Sequence, residues 1–482
     1  MSIVPVVDLL ERARAKGGGR VSHGTHMASI VQAQLGACHQ GRCSVTRQMH
    51  LGLFLQGTGN HPAAWRQPGA FDSFQDIDMV RQIAQMAERG KLDMIFMSDH
   101  LHADPKAHPS FIVRFEPLTM LGAIAMATSR IGLGATVSTT YSDPFTVARA
   151  FASLDHISGG RAAWNLVTTM NPSAAANFGT VHPQHNSRYE RAAEFVDVVL
   201  GLWECWDDDA IVKDKQRGIY VDASKIRSLD HDGEFFKVKG PLHIGRTPQG
   251  RPIVLQAGGS EQGLSLGART ADVMFSVVQD FNEAQQSYAT LKAKLPQFGR
   301  APHEVSLMPG VMPIVGRTNA EAFEKLAALQ GEIDEGVATV LLSERLGIDL
   351  ARHKLDSPVP DLALADTSHS FARVLLAKAR RDGMTLRDLY NLTASARGHW
   401  VLCGSAETIA GTLQYWFENG AADGFIVMPT SFPDGFADFI DGVVPILQER
   451  GLFRREYEGT TLRDHLGLAR PTTSGARVAQ RA

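Results

Sequence analysis

A chain of 482 residues with 44% apolar and 21% charged side chains has the composition of a globular enzyme, and is long enough for a large barrel with insertions. A net charge of -3 and a pI near 6.7 leave no basic footprint for nucleic acid, and no apolar run reaches the ~18 residues of a membrane span. Four cysteines, Cys38, Cys43, Cys205 and Cys403, are too sparse for a disulfide framework and point to a reducing cytoplasm.

Residues 1–48 differ from the rest. AKGGGR and VSHGTHMAS carry little apolar periodicity, and neither a continuous hydrophobic region nor a small-residue cleavage pattern follows. They read as a disordered extension, or as sequence upstream of a start at Met49. CHQGRC brings Cys38 and Cys43 close together, but no second Cys/His pair of zinc spacing accompanies them, so no metal is expected.

From Met49 short apolar runs alternate with helical stretches, as in successive βα units. A first strand is predicted over 50–56 and a helix over 76–88, with Ile77, Val80, Ile83, Ala84 and Ala87 on one face. Strands follow over 92–98 and 131–139, with helices over 118–127 and 147–154. After a Ser-Gly-Gly turn comes a fourth strand, 161–167, apolar on both faces through Ala162, Ala163, Leu166 and Val167. It carries Asn165 and runs into Thr168 and Thr169. These are polar groups where a barrel keeps its active site, or simply the point where an ordinary strand meets a polar loop. Ser187 and Glu190 stand at capping-box spacing and start a helix whose stripe is Tyr189, Ala192, Ala193, Val196, Val199, Leu200 and Trp203.

Residues 207–250 interrupt this rhythm with charges, glycines and a hairpin pattern, EFFKVKGPLHIG. Strands resume over 252–258, 271–277 and 305–315. A second insertion occupies about 331–398, and a last strand (424–430) and helix (436–448) close the pattern. About eight βα units favour a TIM (β/α)8 barrel with insertions, spanning 49–463, over an open doubly wound sheet. A polar, flexible tail is expected over 464–482.

Candidate chemistry collects at the strand ends. In AGGSEQG (257–263) Gly258 and Gly259 allow close backbone approach, and Ser260 is both an N-cap and a hydroxyl donor. The unpaired N–H groups of such a helix start suit a phosphate dianion, although a plain glycine turn needs no ligand. A nucleophile elbow is excluded, because Gln262 stands where GxSxG needs glycine. Asp99 and His100 end the second strand, where they can bind or shuttle protons, or simply be solvated. Thr136, Ser138, Thr139 and Thr140 could reach a heterocycle, and are equally good strand formers. His185 and Tyr189 lie at the N-terminal end of a helix on the same barrel face as the serine loop. His61, in QGTGNHPAAW, is a candidate for the pocket mouth or a solvated loop histidine. HExxH, a P-loop, and GxGxxG in strand–turn–helix context are absent. The residues alone describe a barrel that holds a phosphorylated organic cofactor.

Several long motifs occur in one order: STTYSDPFTVARAFASLDHISGGRAAWNLVTT, HNSRYERAAEFVDVVLGLWE, GEFFKVKGPL with PQGRPIVLQAGGSEQG, and ADGFIVMP. Together, over about 49–458, they resemble the luciferase-like flavin-dependent monooxygenases, in the subgroup acting on nitrilotriacetate, dibenzothiophene sulfone and long-chain alkanes. The resemblance implies a two-component enzyme that uses reduced FMN and O2 to oxygenate a small sulfur- or nitrogen-containing compound. A separate NAD(P)H:flavin reductase would supply the FMN, and the chain would form a homodimer or homotetramer. Residue by residue, it assigns FMN contacts to Asp99, Thr136, His185, Tyr189 and Ser260. The last three take the phosphate end, and Asn165 neighbours the ring. His61 becomes the candidate for a substrate-side or acid/base role. The pattern departs from the alkane-oxidising members at Asp143, where they carry a histidine, and around 337–343, where their second histidine has no counterpart. Instead LLSERLGIDLARHKLDSPVPDL resembles the aminopolycarboxylate and sulfone branch. Two other readings share the barrel: a deazaflavin-dependent oxidoreductase, and a flavin-binding protein without catalysis.

Overall fold

A computed structural model describes residues 47–472, apart from 72, 104–108, 279, 347–348, 351, 360–375, 377–378, 381 and 397. The unit Met49–Ala482 carries everything below. The expectations for the N-terminal extension, including Cys38 and Cys43, fall on residues outside those described.

Eight parallel strands form a closed ring: β1 (His50–Leu55), β2 (Met94–Met97), β3 (Gly132–Ser138), β4 (Ala162–Val167), β5 (Ile253–Ala257), β6 (Val273–Ser276), β7 (Ser306–Gly316) and β8 (Gly424–Val427). Each pairs with its neighbour in sequence, and β8 returns to β1, so the chain is a (β/α)8 barrel. The main helices around it are α1 (Ile77–Arg89), α2 (Pro117–Ala125), α3 (Pro144–Ser158), α4 (His185–Trp203), α5 (Glu261–Thr270), α6 (Phe281–Lys294), α7 (Asn319–Gly331) and α8 (Ala406–Glu418). A last helical run joins Asp434–Asp438, the π-turn Phe439–Val443 and Val444–Glu449. Among the described residues no helix is long and apolar enough to cross a membrane.

Both faces of each strand are apolar because both are covered. Phe54, Met94, Phe96, Ala163, Leu255, Phe275, Met308 and Ile426 fill the lumen, whereas Leu53, Ile95, Leu133, Trp164 and Val254 belong to the core beneath the helices. Most helix starts follow the expected chemistry. Asp76, Glu116, Asp143, Ser260, Asp280, Thr318 and Ser405 each accept backbone N–H bonds at the first turn. The start of α4 does not. It begins at His185, ahead of the Ser187 suggested by capping-box spacing, and its N-cap, Gln184, makes no side-chain hydrogen bond.

The barrel floor is built on a repeat of period two. Asp93, Asp272 and Asp423 precede β2, β6 and β8, and each carboxylate accepts the N–H of a residue near the start of the preceding strand: Leu51 (2.7 Å), Val254 (2.9 Å) and Leu307 (2.9 Å). Before β4 the position is held by Arg161, whose guanidinium is spent on the carbonyls of Ala125, Thr128 and Ile131.

The expectation of a flexible tail from residue 464 is corrected through residue 472. Leu462–His465 is a short helix, Leu462, Leu466 and Leu468 are buried in the lumen cluster, and Arg470 pairs with Asp208 at 2.5 Å. Its polar composition misleads, because Leu466 and Leu468 turn into the lumen cluster and Arg470 pairs with Asp208. The 207–250 stretch holds two antiparallel hairpins, Ile211–Asp214 with Ile219–Val221 and His231–Asp232 with Lys237–Val238. In the 331–398 stretch, helices Glu335–Leu346 and Leu386–Ala394 share a small core around Leu342, Leu389 and Tyr390. One strand lies outside the expected pattern: Trp400–Ser405 pairs with the outer half of the long β7, from Val311 to Gly316.

Candidate active site

The carboxyl ends of the strands gather the polar residues singled out above. Register places Thr136 of β3 directly beside Asn165 of β4. The Thr136 hydroxyl donates to the Met97 carbonyl (2.6 Å), so its oxygen can only accept from Asn165 Nδ2 (2.7 Å). This fixes the amide orientation and leaves Asn165 Oδ1 buried, with no partner among the described residues. An unsatisfied buried carbonyl is costly in the bare protein and signals a missing donor.

A second cluster joins the helix starts of α4 and α5. Ser260 caps α5 by accepting from Gly263 N (3.1 Å), and its hydroxyl stands 3.4 Å from Tyr189 Oη. The His185 and Tyr189 rings lie 5.0 Å apart. Gln256 donates to the Gly263 carbonyl (2.8 Å), and a Cβ on Gly263 would press on Ser260 Oγ and Tyr189 Oη at 3.2 Å. Glycine lets these groups approach without displacing either hydroxyl. The side chains offer hydroxyl and imidazole groups, beside the first amides of two helices, to an anion.

Asp99 follows β2 and is partly buried. Burial raises its carboxyl, and the nearby Arg114 opposes the rise. Arg114 donates to the Ser98 carbonyl (2.9 Å), while Gln56 accepts from Ser98 Oγ (2.5 Å) and donates to the Ser110 carbonyl (2.8 Å). The loops after β1 and β2 are thereby tied together beneath Asp99.

His61 is not a solvated loop residue. Its loop is stitched to the one after β8 through Asn60 N to Pro429 O (2.9 Å) and His61 N to Thr430 O (3.2 Å). At Gly59, φ +149°, a Cβ would fall 2.2 Å from the Thr430 carbonyl. The ring is 1% exposed, and burial lowers its pKa to about 4. Nδ1 accepts from Ala63 N (3.2 Å), so the proton of the neutral imidazole sits on Nε2, which is buried with no partner among the described residues. At neutral pH His61 offers an N–H donor.

Two residues, His399 and Arg188, escape the sequence reading, and Asp143 takes a plain helix-capping role. His399 stacks on Phe275 (4.9 Å, 19°), which packs edge-on to Phe96, so aromatic rings line the lumen. Asp143 caps α3 through Thr146 N (2.9 Å), which accounts for it without a catalytic role. Arg188 is a buried cation at the head of the apolar face of α4, linked to His182 and through it to Tyr141. The available signal was positional, since Arg188 shares the core-facing register of Ala192, Phe195 and Val199.

The family model described as luciferase-like monooxygenase matches residues 49–423. The N-acetyl-S-(2-succino)cysteine monooxygenase of Bacillus subtilis (strain 168) is 47% identical over 90% of this chain and 100% of its own length. Nitrilotriacetate monooxygenase component A of Aminobacter aminovorans is 42% identical over 89% of this chain and 99% of its own. Among solved structures, the EDTA monooxygenase of Chelativorans sp. BNC1 superimposes with a TM-score of 0.78 at 32% identity, covering 89% of this chain and all of that one.

Proposed function

The chain belongs to the luciferase-like monooxygenase family and is a flavin-dependent monooxygenase; from that premise we propose that it is the oxygenating component of a two-component system. It works on FMN reduced by a separate NAD(P)H:flavin reductase, and its substrate is a small carboxylated amine or thioether. The observation that carries the flavin assignment is Asn165 Oδ1, a buried acceptor without a donor. The full-length relatives named above support the substrate class.

The residues present fit the cofactor. Ser260, Tyr189 and His185 would hold the phosphate, with the uncapped start of α4 adding its positive end. Asn165 Oδ1 would accept a hydrogen bond from an N–H of the ring system, with Thr136 holding the amide in place and Asp99 nearby. Reduced flavin supplies the two electrons that let one atom of dioxygen enter the substrate while the other leaves as water. The aromatic lumen excludes bulk water, and His61 Nε2–H donates a hydrogen bond on the substrate side without titrating at neutral pH.

The test is turnover by the purified chain with a flavin reductase, NADH and FMN, scored by product mass because uncoupled flavin oxidation also consumes NADH. Nitrilotriacetate, N-acetyl-S-(2-succino)cysteine and dibenzothiophene sulfone form the panel. A dealkylated or oxygenated product from one of the two carboxylates is expected. Product from the sulfone alone overturns the substrate class, and tighter binding of a reduced deazaflavin than of reduced FMN overturns the cofactor.

A further inference from the structure

A three-residue chain at the barrel mouth is left over by the flavin assignment. Arg188 is 8% exposed, and its Nη1 donates to His182 Nε2 (2.8 Å) and to the Pro183 carbonyl (2.8 Å). A guanidinium has only protons to give, so His182 Nε2 must be an acceptor, and the proton of the neutral ring sits on Nδ1. Nδ1 lies 2.7 Å from Tyr141 Oη. The phenol oxygen therefore accepts from His182, and the phenol's own proton cannot point back along that bond. It is committed to no described residue.

The charge at the other end of the chain is equally incomplete. Among the described residues no carboxylate lies within 4.0 Å of the Arg188 guanidinium, and both of its partners are neutral. Its Nε is buried and has no partner among the described residues. A cation nine-tenths removed from water, with no counter-ion, is expensive unless an anion arrives from outside. The first turn of α4 adds to the positive potential. The phosphate cradle does not answer this need, since Ser260, Tyr189 and His185 gather toward α5. Tyr141 stands on the other flank of α4, after β3.

The surroundings suit a small organic acid. The Tyr141 ring is clamped by stacking on Phe178 (4.8 Å, 13°), and its backbone N–H donates to Ser138 Oγ (3.3 Å), so the hydroxyl is held in place. The loop after β4, which carries Phe178 and His182, also exposes the apolar side chains of Met170 and Val181.

We propose that Tyr141 is a substrate-binding residue that recognises a carboxylate, its hydroxyl proton turned toward the ligand by the hydrogen-bond chain from Arg188 through His182. This rests on the carboxylated substrate class above. Tyr141 gives the direct hydrogen bond, His182 sets its direction, and Arg188 supplies the long-range charge. No proton needs to be transferred along the chain.

The probe is N-acetyl-S-(2-succino)cysteine, with the full-length chain, FMN and a flavin reductase. Tyr141→Phe keeps the stacked ring and removes only the hydroxyl. Its KM is expected to rise at least tenfold, with kcat within about twofold and FMN affinity unchanged. The dissociation constant of the same compound from the protein loaded with oxidised FMN, read by flavin fluorescence, should rise in parallel. His182→Gln can still accept from Arg188 and donate to Tyr141, so it should stay near the parent KM, whereas His182→Leu should match Tyr141→Phe. A chain that merely fastens the β3 loop to α4 would alter kcat or FMN affinity and show no such rescue. If the parent enzyme oxygenates this compound and Tyr141→Phe leaves KM unchanged, the proposal falls and the substrate class stands. If the parent enzyme oxygenates only dibenzothiophene sulfone, the substrate class falls and takes this proposal with it.

Discussion

The two ends of the barrel use their buried polar groups differently. At the floor every strand-initial acid has its partners. Asp93 meets Arg454 and His50, Asp272 meets Arg251 and Arg463, and Asp423 meets Lys292, while each also accepts a backbone N–H. At the mouth, Asn165 Oδ1, His61 Nε2 and Arg188 Nε are buried with no partner among the described residues. Some floor nitrogens, on Arg251, Arg454, Arg463 and His465, also have no partner among the described residues, but they belong to side chains that already hold a buried acid or pack against one that does. The bare atoms of the mouth stand instead at the strand ends, where a barrel binds its ligands. The floor spends polarity on stability, and the mouth holds it in reserve for ligands.

The largest effect that could break this contrast is at the floor. Arg454→Met leaves Asp93, fully buried, without its nearest cation, 2.5 Å away. Removing one member of such a pair typically costs about 3–5 kcal/mol. Chemical denaturation should show a loss of that size, while FMN affinity of the folded protein stays at the parent value. A large loss of flavin affinity would mean the two ends are not independent.

Acid separates the two ends next. His61 is held neutral, its pKa lowered to about 4 by burial. Below its ordinary value near 6.5 the unfolded chain therefore binds a proton that the native chain refuses, and stability falls between about pH 6.5 and 4, by about 3 kcal/mol for this group. At the floor, burial pushes the Asp93 carboxyl up, but Arg454, His50 and Leu51 N–H outweigh it and hold it at about 2. Its contribution, about 2 kcal/mol, is present above pH 4 and lost only between about pH 4 and 2. His61→Gln should flatten the upper step and leave the lower one. Because His465, lowered to about 4 by burial, titrates in the upper window too, that step should shrink rather than vanish.

The barrel was readable because its strands are short runs apolar on both faces, separated by amphipathic helices, and few alternatives bury such runs. Trp400–Ser405 escaped because it is half-buried and pairs only with the outer half of β7, a partner that no local pattern announces. The packed C-terminal segment escaped because its few apolar residues, Leu466 and Leu468, make no pattern of their own and Arg470 looks solvated until Asp208 is seen opposite it. At the mouth, Ser260, His185 and Tyr189 were legible as strand-end and helix-start positions. The Arg188–His182–Tyr141 chain was not, since it depends on which atom donates across elements far apart in sequence.

A third test compares a cap with a ligand contact in one residue. Ser260→Ala removes the bond to Gly263 N, worth about 1 kcal/mol of stability as an N-cap. If Ser260 also holds the phosphate, the charge-assisted bond is worth about 1.5–3 kcal/mol more in binding, so FMN affinity should fall at least tenfold. Titration of both forms with FMN, beside their unfolding curves, separates the two terms. Unchanged affinity would return Ser260 to a purely structural cap.

The smallest effect is the most telling, because its sign differs between two measurements. Asn165→Leu fills a similar volume, removes one hydrogen bond to Thr136 and also removes the partnerless carbonyl. Thr136 keeps its bond to Met97, so no new donor is stranded. In the protein without flavin, the lost bond (about 1 kcal/mol) and the relieved desolvation (about 1–3 kcal/mol) should leave stability unchanged or slightly raised. Flavin affinity should fall, because the acceptor reserved for it has gone. The same exchange at a satisfied polar site such as Asp272 could only destabilise. If Asn165→Leu destabilises the flavin-free protein by more than about 1 kcal/mol, the bare carbonyl is not a reserve, and the contrast between floor and mouth loses its functional meaning.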